Sequence, residues 1–179
     1  MMKKVFGITL IFFALSAAPG WAETYEKWVS KCKSYKDVAH WLSENSFSDR
    51  EGSDQGLAGQ KFISVKNSKE TFRSKTGLSL EAAVFAKHTL NRINPDYRAE
   101  IIYLFSGRFP VHYVCGFYLG GKLFIMDYGN PNEKMMGTHG PYENLDEYVR
   151  KFYLKGHSHL RKLQSYDFGW PPWSSPKQR

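Results

Sequence analysis

Three side chains of this sequence can together perform acyl chemistry: the Ser79 hydroxyl, the His112 imidazole and the Asp127 carboxylate. A hydroxyl is a weak nucleophile until a base removes its proton during attack. An imidazole is such a base, and a buried carboxylate holds the imidazole in the correct orientation. The three residues are far apart in sequence, so the elements that carry them decide whether they meet.

Ser79 heads a predicted helix over Ser79–Ile93, in which Ala83, Ala86, Leu90 and Ile93 recur at helical spacing. Ser79 lies on the same stripe and is expected to point inward. Ala82, Ala83 and Ala86 are small, which allows the helix to approach a sheet closely. Asn94-Pro95 ends it, because proline disfavours helical geometry in the residue before it. Serine is also a favoured capping residue, and Glu81 suits the first turn of a helix, so Ser79 has a purely structural reading as well. Strands are predicted over Arg98–Phe105, Val111–Leu119 and Lys122–Tyr128 from their β-branched and aromatic content. Gly120-Gly121 joins the last two as a tight hairpin, since both glycines accept positive φ. If Leu119 opposes Lys122, then Val114 opposes Asp127 and His112 opposes Gly129. His112 and Asp127 then share one face as diagonal neighbours, about 7–8 Å apart at Cα. Cys115 points to the other face.

The remaining chain builds around this unit. A first helix is predicted over Thr24–Glu44 on the stripe Trp28, Cys32, Tyr35, Ala39 and Leu42, with Cys32 facing the core. Asn45–Gly59 is rich in Ser, Asp and Gly and reads as a loop. Ser68 reads as the cap of a short helix, Lys69–Ser74. After the hairpin, Gly129-Asn130-Pro131 is a turn, and a loop runs through Pro141. Asn144 and Glu147 form an N-terminal capping signal for a helix to about Leu154. Arg161–Phe168 adds an edge strand, and the Trp170-Pro171-Pro172-Trp173 segment packs back or binds a ligand. The fold class is therefore α+β, with helices packed on an antiparallel sheet. Residues 1–22 are a signal peptide, 23–168 one domain and 169–179 a tail.

The signal peptide is read from Lys3 and Lys4, an apolar run over Val5–Ala18 and small residues before a cut after Ala22. That run is shorter than the roughly 20 residues a spanning helix needs. Export to the periplasm or beyond is expected, with no stable membrane insertion after cleavage. Loss of Lys3 and Lys4 takes the formal charge from +8 to +6. The remaining lysines and arginines are spread along helices and read as solvated faces. A weak attraction to anionic envelope polymers is the functional alternative. No nucleic-acid motif is present, and no cofactor or metal is expected. His139, His157 and His159 read as surface histidines. Cys32 and Cys115 are permitted a disulfide by export, and two separate thiols are the other possibility.

The run Gly77-Leu78-Ser79-Leu80-Glu81-Ala82-Ala83 resembles the bacterial transglutaminase-like pattern Gly-x-Cys-x-Asp-x-Ala. His112-Tyr113-Val114-Cys115-Gly116-Phe117 resembles that family's histidine strand, and Leu123-Phe124-Ile125-Met126-Asp127 the strand that ends in its aspartate. The likeness spans about Tyr25 to Tyr128. It implies a papain-like core and a Cys–His–Asp triad of a cysteine peptidase, amidase or acyl transferase. The three roles fall on Ser79, His112 and Asp127, so the nucleophile position holds a hydroxyl in place of a thiol. A cysteine at a helix head can ionise before substrate arrives, with a pKa lowered to about 3.5–7.5. A serine cannot. The expected function is therefore an exported, catalytically degenerate domain that binds peptide or cell-envelope material. The alternative is a serine hydrolase or acyl transferase using Ser79, His112 and Asp127.

Overall fold

The computed structural model describes residues 23–48, 65–108 and 111–173. The expected signal peptide over 1–22 and most of the predicted 45–59 loop lie outside the described residues, as does the end of the tail.

The chain forms a five-stranded antiparallel sheet with helices on both faces. In chain order the elements are α1 (Tyr25–Val29), α2 (Tyr35–Ser43), β1 (Ser46–Phe47), α3 (Ser68–Ser74), β2 (Thr76–Gly77), α4 (Ser79–Ile93), β3 (Glu100–Phe105), β4 (His112–Leu119), β5 (Lys122–Asp127), β6 (Gly137–Tyr142), α5 (Leu145–Tyr148), α6 (Leu154–Gly156) and β7 (Ser165–Phe168). A π-helical turn over Val149–Tyr153 joins α5 to α6. The main sheet has the order β6-β5-β4-β3-β7, and β1 and β2 form a separate short parallel pair.

The hairpin register follows from the two glycines. Gly120 and Gly121 have φ of 60° and 78°, the left-handed values that a two-residue turn requires. Leu119 pairs with Lys122, and the ladder runs to Cys115 with Met126. It ends there, one pair short of Val114 with Asp127.

Strand alternation then separates two cores. One face of the sheet presents Ile101, Tyr103, Tyr113, Cys115, Phe117 and Met126 to α4 and its neighbours. Trp28, Trp41, Phe72 and Phe85 interlock there, with Trp41 stacked 4.2 Å from Phe85 and 5.4 Å from Phe72. The other face presents Ile102, Leu104, Val114, Leu123 and Ile125 to Leu145, Tyr148, Val149 and Tyr153. Cys115 belongs to the first core, as its parity requires. Both cysteines are free thiols.

Three local expectations need correction. The predicted first helix is two helices. Ser34 starts the second, with its hydroxyl accepting from Lys36 N, and the Asp37 carboxylate accepts from Lys33 N and Ser34 N. Cys32 lies in the break, half-buried, with its thiol donating to Trp28 O. Asn67, not Ser68, caps α3, accepting from Lys69 N and Glu70 N. The stretch read as a loop up to Pro141 contains β6, which pairs with β5 and places the sheet's far edge there. The expected edge strand is present as β7, over a shorter span, and it pairs with β3.

Candidate functional site

The head of α4 sits where β4 and β5 part. Leu78 holds the N-cap position in extended geometry, so Ser79 is the first helical residue and caps nothing. The Ser79 hydroxyl instead accepts a hydrogen bond of 3.2 Å from the Tyr113 backbone N–H. Tyr113 follows His112 on β4. On the β5 side, Gly129 lies against Ser79. A Cβ at Gly129 would collide with Ser79 Cα and come within 2.6 Å of its Cβ. The serine is wedged between the two strands and is only 1% exposed.

Glu81 holds this helix head in place. Its carboxylate accepts from Leu78 N at 3.1 Å, from Lys66 N at 3.2 Å and from Lys66 Nζ at 3.3 Å. These bonds satisfy a donor at the helix start and place negative charge at the positive end of the helix.

His112 and Asp127 meet as diagonal neighbours. His112 Nε2 lies 3.0 and 3.1 Å from the two Asp127 carboxylate oxygens. A carboxylate only accepts, so Nε2 carries the hydrogen. Nδ1 is the nitrogen that acid–base chemistry would use. Asp127 is fully buried and receives a second bond from Asn130 Nδ2 at 2.8 Å. Asn130 is in turn fixed, its Oδ1 accepting from Asn132 N at 3.0 Å. The carboxylate is therefore compensated on both sides, as a buried charge must be.

The opposite wall comes from the helix that covers this face. The Tyr153 ring stacks on His112 at 6.1 Å and 20°. Tyr148 is fully buried beside it. Burial, then the nearby Asp127 charge, pushes its phenol well above the ordinary value. Among the described residues the Tyr148 hydroxyl has no hydrogen-bond partner. His157 Nδ1 donates to Tyr153 O at 3.0 Å, and burial lowers the tendency of this imidazole to take a proton.

The structure thus joins His112 to Asp127 and joins Ser79 to the backbone beside His112. The sequence places Glu81 in the first helical turn and Gly129 and Asn130 in a turn, without assigning them or Tyr153 to the site. The Asp127-Tyr128-Gly129-Asn130-Pro131 sequence at a strand end carried a signal for Asn130, because asparagine there readily bonds back to nearby groups. His139 and His157 are half-buried and bonded to the carbonyls of Met135 and Tyr153, not surface residues; His159 is exposed. Trp170 packs on Tyr113, and Trp173 on Tyr103 and Phe105, so the tail's start folds back on the α4 face. Burial pushes the Cys32 thiol up to about 11 and the Cys115 thiol higher still, so neither is a ready nucleophile.

Comparison with known proteins finds no family model that matches the chain and no curated protein that matches it.

Proposed function

We propose that this chain is an exported transglutaminase-like domain that has kept the His–Asp part of a papain-like site and lost its thiol. It acts in the periplasm or outside the cell by binding peptide or envelope material, without covalent catalysis. The observation that carries this reading is the state of the Ser79 hydroxyl. It is 1% exposed and serves as the acceptor for the Tyr113 N–H. A thiol at that place would be favoured in its ionised form by the helix head. The hydroxyl stays protonated there and ties the helix to the strand.

One observation favours a second reading, a serine hydrolase or acyl transferase. The Asp127 carboxylate is bonded to both His112 and Asn130, the ordered support a working base requires. A hydroxyl that accepts one bond can still donate its own proton.

Labelling of the purified mature protein with a fluorophosphonate separates the two. The binding reading expects no adduct at Ser79. Stoichiometric labelling that is lost in His112→Ala would replace it with the hydrolase reading. The partner class is tested by co-sedimentation with purified cell-wall sacculi, where recovery in the supernatant alone counts against envelope binding.

A further inference from the structure

The helix that covers His112 is not regular, and its irregularity brings two tyrosines to one side. Over Val149–Tyr153 the backbone makes a π turn, with Leu154 N donating to Val149 O. Such i→i+5 turns are rare and occur often at functional sites. In a regular α-helix, residues five apart lie on different faces. Here Tyr148 and Tyr153 both face the sheet, their ring centroids 6.1 Å apart. Tyr148 comes to rest by Asp127 and Tyr153 over His112. His157, one turn on, backs Tyr153 at 4.3 Å and is tied to its carbonyl. Tyr153 is 5% exposed and is held from behind, its ring in an offset stack with the imidazole.

We propose that Tyr153 is a positioning residue for His112, whose ring face stabilises the protonated imidazole through a cation–π contact and fixes its plane against Asp127. An aromatic face attracts a cation within about 6 Å of its centroid, most strongly where water is excluded. The two rings form an offset, near-parallel stack at 6.1 Å, at the outer limit of that distance, in a buried setting. Asp127 from β5 favours the charged ring, and His157 from the covering helix opposes a second charge when it is itself protonated. Tyr148 and Asn130 act through Asp127. The inference rests on the proposed reading only in taking Ser79, His112 and Asp127 as the site.

The test is titration of the His112 ring by NMR, its signal identified by its loss in His112→Gln. Phenylalanine, then phenylalanines with successively more fluorines, replace Tyr153 in otherwise native protein. These rings keep nearly the same shape while the negative charge of their faces weakens. The His112 midpoint is expected to fall step by step along the series, and to fall also in Tyr153→Leu. A midpoint that does not change with fluorination, or a His112 that stays neutral at every pH at which the protein is folded, overturns the proposal. Alkylation of Ser79→Cys decides the site reading separately, because its outcome does not depend on the fluorine series.

Discussion

At the scale of single residues, the candidate site is a set of compensated buried groups beside the Ser79 hydroxyl. Ser79→Cys would place a thiol at the head of α4 with its surroundings unchanged. The new thiol is expected to react with iodoacetamide faster than Cys32 or Cys115, because it gains the helix head, whereas burial holds the native thiols in their protonated form. A new thiol no faster than Cys32 would mean that the supporting groups have lost their productive arrangement. Asp127→Ala tests those groups directly. It would leave His112 and Asn130 without their common acceptor in a fully buried place. The expected cost is about 3–5 kcal/mol in urea unfolding. A loss below about 1 kcal/mol would show that water replaces the carboxylate there and that the pair is not sealed. Gly129→Ala is expected to cost about 1–3 kcal/mol by overpacking against Ser79.

At the scale of elements, the helix and strands that carry Ser79, His112 and Asp127 were legible in the sequence because each depends on local chemistry. The α4 stripe has helical period, the Gly120-Gly121 turn sets register, and alternation assigns Cys115 and His112 to opposite faces. What was not legible depends on non-local contacts. The stripe from Trp28 through Leu42 continues with helical spacing across Ser30–Ser34, and only the capping of Ser34 by Asp37 shows that a new helix starts. β6 contains Gly137, Gly140 and Pro141, residues depleted in strands, and it forms because β5 offers it an open edge. The π turn leaves no trace in composition. Glu81 was read as a dipole partner, whereas its carboxylate gathers Leu78 N and both nitrogens of Lys66. Glu81→Ala is therefore expected to cost about 1–3 kcal/mol, with Glu81→Gln losing less because its remaining oxygen still accepts. Equal losses in thermal or urea unfolding would assign the stabilisation to charge alone. In the Ser79→Cys background, Glu81→Ala is also expected to slow alkylation, since the helix head is then no longer fixed to Lys66.

At the scale of the whole molecule, the sheet separates an aromatic core under α4 from a second core under the tyrosine-rich helix, and titratable groups are buried around both. Their linkage sets a pH window for stability. His88 and His157 are each held below the ordinary histidine value of 6.5 by burial. Their folded forms bind fewer protons than their unfolded forms once the pH falls below that value, so stability is lost as pH falls from about 6.5 towards each folded value. Glu26, Asp37 and Glu147 act in the same direction at lower pH. The Lys69 ammonium lowers Glu26, the Lys33 and Ser34 N–H groups lower Asp37, and the Glu143 N–H with Lys151 lowers Glu147. These contributions are complete above the ordinary carboxylate values and vanish as each group takes its proton. On the alkaline side the sign reverses. Burial raises Cys32, Cys115, Tyr128 and Tyr148, so the unfolded chain gives up these protons first, and stability is lost as pH rises above about 9. The expected urea midpoint is therefore flat between about 6.5 and 9 and falls on both sides. The first acid decline should shrink in the double variant His88→Gln, His157→Gln, while the lower, carboxylate decline remains. A midpoint that rises between pH 7 and pH 5, or an acid decline unchanged in the double variant, would mean that these imidazoles are charged in the folded protein and that the burial around them is looser than the structure depicts.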